Sequence, residues 1–75
     1  MVSTPRPVPG YLDLFEKYQI RNRVQIWTNK ERDRFFTWYY THGEIEAFDK
    51  RGNHLGAFHG ITGEKLKDAV RGRKL

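Results

Sequence analysis

The stretch of the sequence best suited to chemistry is His42-Gly43-Glu44-Ile45-Glu46. Side chains at every second position of a β-strand share a face, so a strand through this stretch would present His42, Glu44 and Glu46 together. An imidazole near a carboxylate can act as an acid–base pair on RNA: one group removes the 2′-OH proton and the other protonates the departing 5′-oxygen. The alternative is that His42 is a turn residue and Glu46 lies on a solvated strand.

The charge of the chain is consistent with a polyanionic partner. The 75 residues carry a formal net charge of +5, and each phosphate that a basic surface neutralises releases condensed counterions. Three carboxylates nevertheless lie close together, at Glu44, Glu46 and Asp49. A surface that only binds RNA gains nothing from them, whereas a general base requires one. The simpler interpretation is that Glu44 and Glu46 balance charge on a solvated strand. The alternative function is then a non-catalytic RNA-binding module.

Several kinds of site are not expected. The chain has no Cys, which excludes a disulfide framework, a thiolate zinc site and a thiol nucleophile. The spacings of His42, His54 and His59 match no standard metal-ligand pattern. We therefore expect no metal and no cofactor. The longest apolar run is too short to span a membrane, and residues 1–10 lack the apolar core of a signal peptide.

The N-terminal quarter of the sequence predicts an arm and one short helix. Residues 1–10 contain three prolines and predict an extended linker or arm, which leaves residues 11–75 as the single domain. Apolar residues within 11–18 recur at helical spacings and predict a short helix. The fold class predicted is α+β, with this helix packed on a small antiparallel sheet.

The rest of the sequence predicts strands. Apolar and polar residues alternate, or β-forming residues cluster, in four stretches. These are residues 23–28, 34–40, 44–48 and 54–58. Polar or glycine-containing turns separate them, and residues 64–75 fit either a helix or an edge strand. Within the aromatic block we expect Phe36 and Trp38 in the core, with Tyr39 and Tyr40 on the surface or in the site.

Several short motifs follow one another in order along the chain. They are Trp27-Thr28 with Lys30 and Arg32, Trp38 with His42-Gly43-Glu44-Ile45-Glu46, Gly52 with His54-Leu55-Gly56 and Phe58, and Thr62-Gly63 before a basic tail. This ordered set resembles the C-terminal cytotoxic domain of ribosome-inactivating colicins, with related pyocins and contact-dependent toxins, over residues 20–75. The resemblance implies an endoribonuclease that cuts 16S rRNA in the decoding site by a metal-free acid–base mechanism, with a short helix on a strongly twisted antiparallel sheet.

The resemblance also implies which residues form the active site. The family's His and the second Glu of its motif fall on His42 and Glu46, and its Arg falls on Arg73, or on Arg71 because the tail departs from the family's proline-containing form. The family's Asp falls on Tyr39, and a phenol in general, with a reference pKa of about 10, cannot replace a carboxylate near neutral pH. We therefore expect weak or absent cleavage. Tyr39 is either a natural variation in a branch that relies on the other residues or an inactivating change.

Further residues and partners follow from charge and from the resemblance. Glu44 is a supporting site residue. The cations expected to hold rRNA phosphates are Arg21, Arg23, Lys30, Arg32, Arg34, Lys65, Lys67 and Lys74. The resemblance implies an acidic immunity protein that binds the same cations by electrostatic steering. We expect a monomer when free, released from the producing bacterium within a larger toxin and active in the cytoplasm of the target cell on the 30S subunit.

Overall fold

A computed structural model describes residues 3–75 as one antiparallel sheet preceded by a 3₁₀ turn at Tyr11–Leu14. The six strands are β1 (Glu16–Arg21), β2 (Val24–Thr28), β3 (Arg34–Tyr39), β4 (Glu44–Asp49), β5 (His54–Phe58) and β6 (Lys65–Asp68). Their order in the sheet is their order in the chain. The strands predicted at residues 34–40, 44–48 and 54–58 are thereby confirmed.

The predicted α+β class is wrong, because residues 3–75 contain no helix beyond the 3₁₀ turn. The segment predicted as a helix was only eight residues long, and so short a helix is marginal without strong packing. Its second half instead enters β1, which pairs with β2 through a bulge between Lys17 and Gln19. Phe15 is extended and stacks on Phe36, with ring centroids 4.3 Å apart. Sheet pairing and this aromatic contact outweigh the local helical spacing. The fold is mostly β.

The C-terminal residues, which the sequence left open between helix and strand, form an edge strand and a closing segment. β6 pairs with β5 through a bulge between Ala57 and Phe58. Gly56 has φ of +139°, and a Cβ at this position would collide with the backbone carbonyl of Lys67. Beyond β6, the His54 amide donates to the carbonyl of Arg73. The tail therefore returns to the start of β5, which places its cations beside β4 and β5.

The two faces of the sheet have different roles. The main apolar cluster, called the core here, lies on one face, where Leu12, Trp27, Phe36, Ile45 and Ala47 are buried together. The prediction that Phe36 is a core residue is confirmed, while Trp38 is half-buried at the margin of this cluster. Because side chains alternate along a strand, the other face of β3 and β4 carries Thr37, Tyr39, Glu44 and Glu46.

The proline-rich arm packs against the core face. Trp38 donates its indole N–H to the carbonyl of Thr4 at 2.8 Å, and the guanidinium of Arg6 lies 5.1 Å from the Trp27 ring centroid. Arg6 also pairs with Asp13 at 3.2 Å. Two residues of the predicted arm, 1 and 2, lie outside the described part. The boundary between a linker at 1–10 and a domain at 11–75 remains a prediction.

Gly63 lies where the 3₁₀ turn packs on the loop before β6, so a substitution at this position tests that packing. Gly63 has φ of +77°, and a Cβ built there would overlap the Tyr11 ring. Gly72 has φ of +86°, and no atom of residues 3–75 beyond its own chain neighbours lies within 4 Å of such a Cβ. Gly72→Ala should therefore cost only the left-handed backbone conformation, about 1–2 kcal/mol. Gly63→Ala should cost about 1–3 kcal/mol more, because the ring must move. Urea denaturation measures both, and equal losses would contradict this packing.

Asp49 makes the stability of the β4–β5 hairpin dependent on pH. Its Oδ1 accepts from the backbone N–H groups of Asn53 and Arg51, both at 2.9 Å, and the Asn53 bond contributes most to holding the pKa of Asp49 below its usual 3.8. A lowered folded-state pKa stabilises the fold above the unfolded-state pKa and ceases to do so as pH falls through the folded value. Asp49→Ala should therefore destabilise the protein at pH 7, and the difference should shrink below about pH 4. Denaturation across that range checks the trend, which a constant difference would contradict.

Candidate active site

Glu46 is the centre of a polar cluster on the face opposite the core. The residue is only 4% exposed. Its Oε2 lies 2.6 Å from Nε2 of His54, and its Oε1 lies 2.9 Å from Nη1 of Arg73. A buried carboxylate is costly unless it is paired and hydrogen-bonded. Here both oxygens have partners, which explains how β4 can hold this charge in the sheet.

His54 orients the Glu46 carboxylate. The backbone N–H of Val70 donates to Nδ1 of His54 at 2.8 Å. Since Nδ1 accepts a hydrogen bond, the proton of the neutral ring is on Nε2, which donates to Glu46. The His54 side chain is buried, so neither bond competes with bulk water. The two bonds together fix the direction in which the carboxylate points.

Glu44 is a second buried carboxylate on the same strand. Its Oε1 accepts from Nζ of Lys67 at 2.9 Å and lies 3.4 Å from Nδ1 of His42. The His42 side chain is 53% exposed. Strand pairing ends at Tyr39 opposite Glu44, so no strand continues through His42, and the alternative that His42 is a turn residue is confirmed. A turn with Gly43 at φ of +67° brings His42 back beside Glu44 instead.

Tyr39 lies between the exposed and the buried halves of the cluster. Its ring centroid is 4.6 Å from that of His42 and 5.6 Å from Cζ of Arg73. Contacts therefore run from His42 through Tyr39 and Arg73 to Glu46. A phosphate that reached Arg73 would therefore lie near the Tyr39 ring and the buried Glu46 carboxylate.

Most of the residues predicted for catalysis come together here. The structure places Arg73, rather than Arg71, against Glu46, and within residues 3–75 Arg71 makes no ion pair with a carboxylate. Lys67 also belongs to the cluster, through Glu44. Among the described residues, the other predicted RNA-binding cations make no ion pair with either buried glutamate. These are Arg21, Arg23, Lys30, Arg32, Arg34, Lys65 and Lys74.

His54 is a member of the cluster that the sequence did not predict, because its spacing was considered only for metal binding. The signal was in the hairpin between β4 and β5, whose turn was predicted from Gly52. Phe48 pairs with His54 and Glu46 with Ala57, which makes His54 a diagonal neighbour of Glu46. Long side chains at diagonal positions of an antiparallel pair lie within reach of each other.

A buried and an exposed histidine offer a matched test of this structural role. His54→Phe leaves the Val70 N–H and one Glu46 oxygen without partners, which should cost about 1–3 kcal/mol. His42→Phe replaces an exposed ring and should change stability by at most about 0.5 kcal/mol. Chemical denaturation of both variants checks the difference. Equal stabilities would show that the His54 bonds contribute little.

Two kinds of feature are absent from the described residues. Within residues 3–75 no group of three or more His, Cys, Asp or Glu side chains could hold a metal ion. In the same part of the chain, no helix has the length and apolar character needed to cross a membrane.

Comparison with known protein families identifies a match for this chain. A family model described as "Cytotoxic" matches residues 15–75, which include all six strands, from β1 to the edge strand β6, and every member of the polar cluster. No curated protein matches the chain. The family match confirms the resemblance to a colicin-type cytotoxic domain that the ordered motifs indicate.

Proposed function

Because the chain belongs to the Cytotoxic family and is a toxin domain, we propose that it is an endoribonuclease that cleaves 16S rRNA in the decoding site of the 30S subunit. The observation that carries this proposal is the buried Glu46 carboxylate, held by His54 and Arg73. A surface that only bound RNA would have no use for an oriented anion behind its cations. A general base requires one.

The proposed reaction begins at the 2′-OH of the nucleotide before the cut. Glu46 takes its proton, and the 2′-oxygen attacks the adjacent phosphorus to form a 2′,3′-cyclic phosphate. The bond from phosphorus to the 5′-oxygen breaks, and His42, which is exposed and carries a proton in this step, protonates that oxygen. Glu46 ends protonated and His42 neutral, and exchange with water restores both.

Arg73 has two roles in this scheme. In the free protein it neutralises Glu46 through the 2.9 Å ion pair, while 40% of its side chain stays exposed. A guanidinium can bind a phosphate through two parallel hydrogen bonds. The scissile phosphate would compete with Glu46 for these donors. The guanidinium would then stabilise the charge that develops on the phosphate, and Oε1 of Glu46 would be free to accept the proton.

Tyr39 occupies the position of the family's Asp in this arrangement. Its ring contacts His42 and Arg73, but a phenol adds no anion between them near neutral pH. We propose that the chain therefore cleaves weakly. Glu44 supports the site by contacting His42 and Lys67.

The partners and the place of action belong to the same proposal. A domain of net charge +5 suits an acidic immunity protein that associates by electrostatic steering and covers the cations that would otherwise hold rRNA. The domain would be released by its producer within a larger toxin, and it would meet the ribosome in the cytoplasm of the target cell.

Primer extension on 16S rRNA tests the proposal. Ribosomes incubated with the chain, and in parallel with its Tyr39→Asp variant, should give one new stop within the decoding site. Buffer-treated ribosomes provide the background. No stop with either protein, or stops scattered along the 16S rRNA, would overturn the proposed activity and leave the non-catalytic RNA-binding module as the better explanation.

A further inference from the structure

A pair of aromatic rings lies away from the polar cluster but on the same face of the sheet. Tyr18 packs against Phe35 with ring centroids 5.1 Å apart, yet remains 42% exposed. Phe35 alternates with Phe36 of the core, which puts it on the face that carries Glu46. Cζ of Arg32 lies 6.0 Å from the Tyr18 ring centroid, so a cation lies beside the exposed ring.

Tyr18 and Phe35 also line a surface cavity of about 250 Å³ that is rich in cations. Arg21, Lys50 and Arg51 contribute its positive charge. Among the described residues that line it, Asp49 is the one with an acidic side chain, and its carboxylate already accepts hydrogen bonds from the turn backbone. Pockets for drug-sized ligands are roughly 300–1,000 Å³, so this cavity is sized for a single ring system next to an anion.

We propose that this cavity binds one nucleotide of single-stranded RNA. Its base would stack on Tyr18, and its phosphate would bind Arg21, Lys50 and Arg51. Exposed aromatic rings next to cations are the usual means of holding unpaired nucleotides, because every base has a π-face and every linkage has a charge. An acidic peptide would satisfy the cations but would have no planar group for the ring.

A second cavity adjoins this nucleotide site and reaches the β3 position opposite Glu46, so the inference rests on the proposed nuclease activity. It has a volume of about 220 Å³ and shares Arg21 and Leu75 with the first. Thr37 and Phe48 also line it, and Thr37 pairs directly with Glu46. An RNA strand whose scissile phosphate lies at Arg73 can therefore follow this face to Tyr18. The site would hold a nucleotide that flanks the cut.

Fluorescence anisotropy with a labelled 2′-O-methyl RNA oligonucleotide tests this site, because blocking the 2′-OH prevents cleavage. Tyr18→Leu should weaken binding about 5- to 150-fold, the usual effect of losing one stacked base. The matched control is Tyr40→Leu, which removes an exposed tyrosine beside Trp27 and Trp38. It should bind as the parent does.

A charge variant keeps the test decisive even if Tyr18→Leu fails to fold. Arg51→Gln should reduce the dependence of affinity on salt by about one phosphate contact. Its control is Lys17→Gln, since Lys17 pairs with Trp27 on the core face and should leave the salt dependence unchanged.

Two results would overturn the nucleotide site. One is that the variants at Tyr18 and Arg51 bind the oligonucleotide like their controls. The other is that a polyglutamate peptide binds as tightly as the RNA and loses as much affinity with Tyr18→Leu, which would make the cavity a protein-binding site. The assay needs no cleavage. If the chain cuts 16S rRNA but the Tyr18 and Arg51 variants bind RNA normally, only the nucleotide site is overturned. If RNA binding depends on Tyr18 but no cutting occurs, only the proposed activity is overturned.

Discussion

Glu46→Gln should lower the rate of 16S rRNA cleavage by about 10²- to 10⁴-fold, the usual contribution of a general base. Gln is nearly the same shape as Glu and cannot take a proton from the 2′-OH. The substitution should do little to the fold, because the Gln oxygen can still accept the hydrogen bond that His54 donates from Nε2. Cleavage should therefore fall without unfolding.

RNA affinity should stay the same or rise in this variant. Arg73 loses its anionic partner, so its guanidinium is no longer divided between Glu46 and a phosphate. A loss of rate with retained affinity separates a catalytic role from a binding role. The rate is best measured under single-turnover conditions with Glu46→Gln added to the Tyr39→Asp variant. We expect the Tyr39→Asp variant to cleave fast enough for a large decrease in rate to be resolved.

Glu64→Gln is the matched control for this experiment. Glu64 is exposed and lies in the loop just before β6. The Glu64→Gln variant makes the same change of charge outside the polar cluster, so its cleavage rate should equal that of the Tyr39→Asp protein without it. Cleavage by Glu46→Gln at the rate of the Tyr39→Asp protein would exclude Glu46 as the base and would assign that role to another group.

The second large effect should be a gain of function: Tyr39→Asp should raise 16S rRNA cleavage about 100-fold or more. The backbone position lies between an imidazole and a guanidinium, because the present ring contacts both His42 and Arg73. A carboxylate there would supply the orienting anion that the phenol lacks near neutral pH. General acid–base groups contribute about 10²- to 10⁴-fold, which sets the expected gain.

Tyr39→Asn is the control that separates charge from size. It removes the ring and matches the shape of Asp but adds no charge, so it should stay near the parent rate if the anion matters. A gain in both variants would show that the ring blocks access to the site. Equal cleavage by the parent and Tyr39→Asp would remove position 39 from the mechanism.

The sequence predicted the three hairpins from β2 to β5 well because their signals are local. Alternation and glycine-containing turns depend on residues close in the chain, and the structure confirms the turn between β4 and β5, where Gly52 has φ of +83°. The prediction of an N-terminal helix was wrong for the opposite reason. Its helical spacing was real, but pairing with β2 and stacking of Phe15 on Phe36 are contacts that no window of eight residues contains.

The same distinction applies to the polar cluster. Alternation alone predicts that Glu44 and Glu46 share a face, and the register of β3 and β4 confirms it. The roles of His54 and Val70 depend on how the tail folds back onto β5, and no periodicity reports that. Family resemblance placed an arginine in the tail, and only the coordinates distinguish Arg73 from Arg71.

The way the tail closes the cluster has a consequence for the timing of assembly. Each strand pairs only with its neighbours in the chain, so the sheet can grow by short loop closures from the first hairpin onward. Glu44, Glu46 and His54, by contrast, receive partners from Lys67, Val70 and Arg73. During synthesis or refolding, we therefore expect a nearly complete sheet to form before the polar cluster is complete, so that the proposed nuclease centre would arise only in the last step.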